Sequence, residues 1–266
     1  VALSGDGADE FFAGYPTYRA DQYFQIYRKM PTAIQQVMLS NATKWLRPTY
    51  RKVSMDYRVR QFLGSAGLTP EEAHYWWRVI FPFSEVEQIF SREFCESIDG
   101  YQTFQAFLEH FQVVDDIPFL DQALYVDAQT WLLDDILVKV DRMSMAHSVE
   151  VRCPFLDRSL VEYAAQLPTK LKMNILGNKV IVRDGMSKRI PRVVRRSRKK
   201  GFNSPPINDV TWALPSDNRF QGNFSLNPQK EDVTFKATNL LVLNVWFDMY
   251  NSYKRTGLWE PIKYDS

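Results

Sequence analysis

The sequence predicts an α/β protein that is mainly helical and hung on a fragment of strand. Three observations carry that expectation. An apolar run at residues 1–3 breaks into a glycine turn, apolar residues recur at three- and four-residue spacing through most of the chain, and no convincing alternating strand falls between Pro31 and His110.

Residues 1–3 read as the last half of a buried strand. Ser4-Gly5-Asp6-Gly7-Ala8-Asp9-Glu10 follows as a loop, in which Gly5 and Gly7 allow a tight turn with backbone N–H groups facing a ligand. Asp6, Asp9 and Glu10 leave that loop as a helix begins, where carboxylates suit the positive end of the helix dipole. A stripe from Phe11 to Tyr27 has helical spacing with a break near Pro16, and such an aromatic stripe reads as core. Short helices are expected from Pro31 to His110. Thr69-Pro70-Glu71-Glu72 gives one N-cap, and Ser84 with Glu87 gives a capping box for another. Residues 118–152 continue the helical pattern, and Pro154 to Asp157 turns the chain into a helix closed by Pro168. Further helices are expected over 179–189 and 240–253, separated by a proline-rich loop from 203 to about 232.

The 266 residues suffice for a substantial core, with about three quarters of the unfolded surface buried on folding. Thirty-three Lys and Arg against 31 Asp and Glu leave a net charge of +2, which argues against a globally basic nucleic-acid binder. Cys95 and Cys153 are too few for a disulfide framework or zinc site, and no apolar run approaches the roughly 20 residues of a membrane span. A soluble protein of the cytoplasm, with neither nucleic acid nor membrane as partner, is the expectation.

Three constellations could carry chemistry. In the acidic loop, Gly5 and Gly7 supply backbone donors, Asp9 is a candidate magnesium ligand, and Asp6 is placed to organise a proton or a substrate cation. Three acids repel a phosphate, so a divalent cation or a basic side chain must intervene. The plainer alternative is a turn with helix-capping acids. In the second constellation, charges at 135, 139, 142, 150 and 152 lie among apolar neighbours, so some are expected in the interior, paired with one another or with a ligand. For Asp135 with Lys139, the i,i+4 spacing favours a solvated helix-face pair, and His147 reads as structural. The third is Arg192, Arg195, Arg196, Arg198, Lys199 and Lys200 before Gly201-Phe202, a basic loop suited to fold over a polyphosphate. A solvated basic turn is its alternative.

In this order, the motifs resemble those of the synthetase domain of glutamine-dependent asparagine synthetases and their amidotransferase relatives. The carriers are residues 4–10 with Gly14-Tyr15, Leu137 to Ala146 continuing through Glu150 to Asp157, Lys179-Val-Ile-Val-Arg183, and Arg198 to Phe202. The resemblance implies an adenine-nucleotide α-hydrolase-like α/β fold, here mainly helical with a remnant of the parallel sheet. It covers residues 1–206 of a single partial domain spanning 1–266, with a divergent loop and a C-terminal helix over 207–266. It also implies ATP and Mg2+, with aspartate and glutamine-derived ammonia as the other substrates. In that reading Ser4, Gly5, Gly7 and Lys179 contact ATP, and Asp9 binds the metal. Asp6 holds the position important for adenylate formation. Lys199 stabilises the α-phosphate as it reacts, and Arg142 supplies a cation near the acyl substrate. The family's upstream pyrophosphate loop and glutaminase domain are not in this sequence. The chain is therefore expected to be the C-terminal two thirds of a synthetase domain that does not turn over ATP alone, with a homodimer among the possible assemblies. A relative that adenylates another carboxylate, such as a β-lactam synthetase or a lasso-peptide cyclase, and a non-catalytic helical binding module are the alternatives.

Overall fold

In the computed structural model, residues 1–45, 55–98, 103–174, 177–196, 219–220 and 232–257 are described. Strand β1 (Ala2–Leu3) enters the glycine turn, from which the short helix α1 (Ala8–Phe11) emerges. Helix α2 (Pro16–Arg28) begins on Pro16, whose fixed φ and missing N–H suit a first helical turn, so the expected break falls there. Helices α3 (Thr32–Trp45), α4 (Met55–Gly64), α5 (Pro70–Trp76), α6 (Phe83–Ile89), α7 (Arg92–Ser97) and α8 (Thr103–Gln112) follow, as the spacing predicts.

The capping box of α5 forms as read: Thr69 Oγ1 accepts from the Glu72 N–H at 3.2 Å, and Glu72 Oε2 accepts from the Thr69 N–H at 2.7 Å. The box expected from Ser84 and Glu87 does not start α6. Pro82 is the N-cap, its φ of −55° already suited to helix, and the helix begins ahead of Ser84.

Helix α9 (Phe119–Asp127) runs into a π-helix (Ala128–Leu137) and then α10 (Val138–Met145). π-Helices are rare beyond a single turn and concentrate at functional sites. Strand β2 (Val151–Arg152), a 3-10 turn (Pro154–Leu156) and α11 (Arg158–Gln166) follow. Next come α12 (Thr169–Lys172) and a small antiparallel pair, β3 (Met173–Asn174) with β4 (Gly177–Asn178). Helix α13 (Val180–Gly185) is shorter than expected, α14 spans Arg192–Arg196, and α15 (Asp232–Thr256) is longer than expected.

The chain divides into two compact units. The first comprises the described residues within Val1–Lys44, Arg60–Arg78 and Gln102–Gly201. In it β1 lies parallel to β2, Ala2 opposite Val151 and Leu3 opposite Arg152, which joins the acidic loop's strand to the motif that runs through Glu150 to Asp157. This is the remnant of a parallel sheet that the fold class required. The strand is not buried as expected, however: Leu3 is 76% exposed, because among the described residues no layer covers the pair. The core lies instead among the helices, where Tyr18 and Ala13 pack on Leu120, Ala123 and Leu124. A further group joins Phe12 to Ala164 and Leu167. The aromatic stripe of α2 is core as read, with Phe24 and Tyr27 buried against Ala73, although Tyr23 is exposed.

The second unit comprises the described residues within Trp45–Val59, Val79–Tyr101 and Phe202–Ser266. Ile89, Phe90, Phe220, Leu240 and Phe247 form its core, and Phe90 pairs with Phe220 in an isolated bridge. Among the described residues no helix is long and apolar enough to cross a membrane, and both cysteines are free.

Candidate functional site

The acidic loop is held in place from both sides. The Ser4 N–H donates to the Arg152 carbonyl at 2.8 Å, so the loop starts from a fixed strand end. Gly7 has φ +86°, and a Cβ there would meet Leu156 Cδ2 at 2.3 Å. Only glycine meets both demands, and it seats the loop on the Pro154–Leu156 turn. The Ser4 hydroxyl donates to Asp6 Oδ2 at 2.5 Å, which turns the Asp6 carboxylate across the loop. Gly5 is exposed, and among the described residues a Cβ there would meet nothing within 4 Å, so they leave the front of the loop open.

Behind it sit the other two acids. Asp9 is 7% exposed, and Lys179 Nζ lies 2.8 Å from its Oδ1. A Cβ on Gly14 would fall 1.7 Å from Asp9 Oδ1 and 2.3 Å from Lys179 Cε, so the missing side chain is the space this ion pair occupies. Lys179 itself adopts φ +53°, uncommon for a side-chain-bearing residue, with its N–H donating to the Phe12 carbonyl at 3.2 Å. Next to it the Asn178 amide donates to the Gly14 and Tyr15 carbonyls at 3.3 and 3.2 Å and accepts from Arg19 at 2.7 Å. Glu10 is 1% exposed and accepts from the Tyr15 hydroxyl at 2.6 Å. Burial pushes the Glu10 acid above the ordinary carboxylate range against the pull of that hydrogen bond. Tyr15 is pushed up as well, by its own burial and then by Glu10, so it stays a donor.

The sequence-predicted residues therefore divide. Ser4, Gly5, Asp6, Gly7, Asp9 and Lys179 come together in one place, although Lys179 is 170 residues from Asp9. Arg142 does not join them. It is exposed on α10, as are Asp141, Met143, Met145 and His147. The expectation that charges in this stretch are drawn into the interior is overturned: Glu150 pairs with Arg152 at 2.8 Å and Asp135 with Lys139 at 3.5 Å, and all four side chains are about half exposed or more. Charges surrounded by apolar residues in sequence stay hydrated where no second layer covers the segment. Arg198, Lys199, Lys200, Gly201 and Phe202 lie outside the described residues, as does the loop from 203 to 218. Arg192 begins α14 and is exposed.

Sequence reasoning missed a buried charged cluster in the first unit. His74 is 0% exposed, with Nδ1 2.7 Å from Asp21 Oδ2 and Nε2 3.0 Å from Asp127 Oδ1. Arg78 pairs with the other oxygen of Asp127, and the Trp77 indole donates to Asp21 at 2.6 Å. Burial works to lower the imidazole's proton affinity, yet the Asp21 and Asp127 carboxylates outweigh it and push the pKa up to about 9. Arg78 and then His74 hold Asp127 below the usual carboxylate range, against burial. Two cations and two anions thus balance inside the helical core.

Among the described residues no group of three or more His, Cys, Asp or Glu could hold a metal unaided. A magnesium ion needs fewer, because Mg2+ commonly takes one or two carboxylates and completes its shell with water and substrate phosphate. Asp6 on the loop and Asp9 on α1 behind it are the carboxylates that could serve.

The asparagine synthase family model matches residues 1–233. The chain is 28% identical over 205 residues to asparagine synthetase (glutamine-hydrolyzing) 1 of Bacillus subtilis, which covers 77% of this chain and 30% of that protein. It is 29% identical over 213 residues to a putative asparagine synthetase (glutamine-hydrolyzing) of Mycobacterium tuberculosis, with the same two coverages. It is also 26% identical over 227 residues to the amidase chyE of Penicillium rubens, with 77% of this chain and 32% of that protein covered. The chain thus spans about a third of the length of these curated relatives. No solved structure matches it significantly. With the residue 4–10 motif and Lys179 brought together and the family match running through residues 1–233, the chain belongs to the asparagine synthase family.

Proposed function

We propose that this chain is the nucleotide-handling part of an ATP-dependent amide-forming ligase of the asparagine synthetase kind. The observation that carries the reading is the meeting of Lys179 with Asp9 beside an open glycine loop. A basic group and two carboxylates at one place are what a polyphosphate with magnesium needs, since either charge alone would repel or over-bind it.

In the reaction so proposed, an oxygen of the aspartate side-chain carboxylate attacks the α-phosphate of ATP, pyrophosphate leaves, and ammonia then displaces AMP to give asparagine. Ser4, Gly5 and Gly7 would contact the nucleotide along the open face of the loop. Asp6, held across the loop by Ser4, would orient the groups that react at the α-phosphate. Bound magnesium would supply neutralising charge to the leaving pyrophosphate, with Asp9 as its ligand. Lys179 would move from Asp9 to phosphate as the metal takes its place on the carboxylate. Lys199 would steady the charge on the α-phosphate, and Arg142 the acyl substrate. Ammonia would derive from glutamine through a glutaminase domain upstream in the whole protein, which would act in the cytoplasm and could assemble as a homodimer. The amidase relative supports a second reading, in which the same nucleotide site serves another carboxylic acid.

Equilibrium titration of the chain with MgATP tests the first reading. Magnesium-dependent binding is expected, weakened about tenfold or more by Lys179→Met, the scale of losing one charged hydrogen bond. Equal binding by the wild type and the variant, or none without regard to magnesium, would overturn it.

A further inference from the structure

The buried cluster around His74 lies next to the acidic loop in the same unit, and a chain of polar contacts leads from one to the other. Asp127 is the last residue of α9, at the step where the α-helix changes to the π-helix. It is gripped there from both sides, by His74 Nε2 at 3.0 Å and by Arg78. Arg78 in turn lies over the ring of Trp131, 5.8 Å from its centroid, one turn into the π-helix. Trp131 acts on the Tyr15 hydroxyl, opposing the rise that burial and Glu10 cause in it, and Tyr15 donates to Glu10 at the end of the loop. A second arm runs from His74 Nδ1 to Asp21 and ties α2 to α5. The Tyr18 ring stacks on the imidazole at 6.1 Å and neighbours Tyr15 at 5.9 Å.

We propose that His74 is a positioning residue for the acidic loop: clamped between Asp21 and Asp127 as a buried imidazolium, it fixes where the π-helix begins and, through Arg78 and Trp131, holds the Tyr15 hydroxyl on Glu10. Geometry favours the charged form. Both ring nitrogens face carboxylate oxygens, an arrangement in which both donate, whereas a neutral ring would have to turn its Nε2 lone pair to Arg78 Nη1, 3.3 Å away, while still beside the Asp127 anion. The groups facing the ring are few. Asp21 and Tyr18 come from α2, Asp127 from the end of α9, and Arg78 from the turn after α5. α8 and the start of α9 present only the rings of Phe107, Phe111 and Phe119. Arg78 stays on the other oxygen of Asp127 when the proton leaves, so deprotonation strips Asp127 of the His74 half of its clamp at the start of the π-helix.

The proposal rests on the reading of the acidic loop as the functional site, and its test uses no nucleotide, so the two can fail separately. Proton and nitrogen NMR of the whole chain follows the His74 ring and the Trp131 indole from pH 6 to 10, with Trp131→Phe to assign the indole signal. The His74 ring is expected to stay doubly protonated through neutral pH and to titrate around pH 9, in line with the carboxylates that raise it. The Trp131 indole should shift with the same midpoint. In His74→Gln that shift should vanish, and amides of residues 128–137 should exchange about tenfold faster while those of α11 keep their rate, the mark of a local opening. A ring that titrates near the ordinary value of 6.5, or a Trp131 signal indifferent to it, would overturn the proposal. If the glutamine variant does not fold, the wild-type titration still decides between these outcomes.

Discussion

Two sets of charges in the first unit use the same chemistry in opposite surroundings. Around His74, side chains between 0 and 16% exposed make ion pairs across three helices. From the end of the π-helix to β2, Asp135 with Lys139 and Glu150 with Arg152 make pairs of similar length at side-chain exposures of 47 to 67%. Distance therefore says little about what a pair does. In the interior each charge has lost its water and must keep its partner, whereas at the surface water and salt replace a partner at little cost. The buried set constrains structure; the exposed set leaves its residues free to meet something else.

Asp127→Ala is the hardest blow to that contrast. It strands Arg78 and the imidazolium in the core, and loss of one member of a buried pair costs about 3 to 5 kcal/mol. Urea unfolding of the variant should show it. A loss under about 1 kcal/mol would mean that water reaches the cluster, and the distinction between the two regions would fall.

Alkaline pH should loosen the same cluster without a mutation. The folded His74 value of about 9 lies above the ordinary 6.5, so its contribution is fully present below about 6.5 and is lost as pH rises through 9. The difference of two to three pH units corresponds to about 3 kcal/mol. The quantity to measure is the gap in unfolding free energy between wild type and His74→Gln, which should narrow from pH 6.5 to pH 10. A gap that is constant or widens would show a ring that is neutral in the folded protein.

Little of that cluster could be read from sequence. His74 lies 53 residues from both Asp21 and Asp127, and nothing local to any of the three announces the others. The π-helix is hidden as well, since Ala128 to Leu137 has ordinary helical composition. Features governed by neighbours in sequence were legible. Thr69 caps with Glu72 three residues on, Pro16 starts a helix, and Gly7 of the acidic loop bends it as its type allows. Gly7 is the most telling, because its positive φ was inferable but its contact with Leu156 was not. The site was half legible on the same terms. Asp6 and Asp9 stood out by their spacing, and the motif order placed Lys179 with them, but the route from Glu10 through Tyr15 to His74 exists only in three dimensions. Apart from helix boundaries such as the start of α6, the misplaced expectations concerned burial. Residues 1–3 and the charges of 135–152 were read as interior, and the described residues supply no layer to cover them.

The exposed pairs make the smallest prediction and sharpen the comparison from its other side. Glu150→Gln removes the acceptor of Arg152 where both side chains are more than half exposed, and Asp135→Asn does the same for Lys139 at an i,i+4 spacing. Each should change stability by about 0.5 kcal/mol or less, and 0.5 M salt should erase most of that, since charges in water are screened within a few ångströms. Urea unfolding of both variants at two salt concentrations reads the effect. A loss of about 2 kcal/mol in either would be too large for a hydrated pair and would require that another surface cover the α10 and β2 segment in solution. The exposed Met143 and Met145 share that segment, so a second copy of the chain is the first occupant to look for, and a concentration-dependent unfolding midpoint would reveal it.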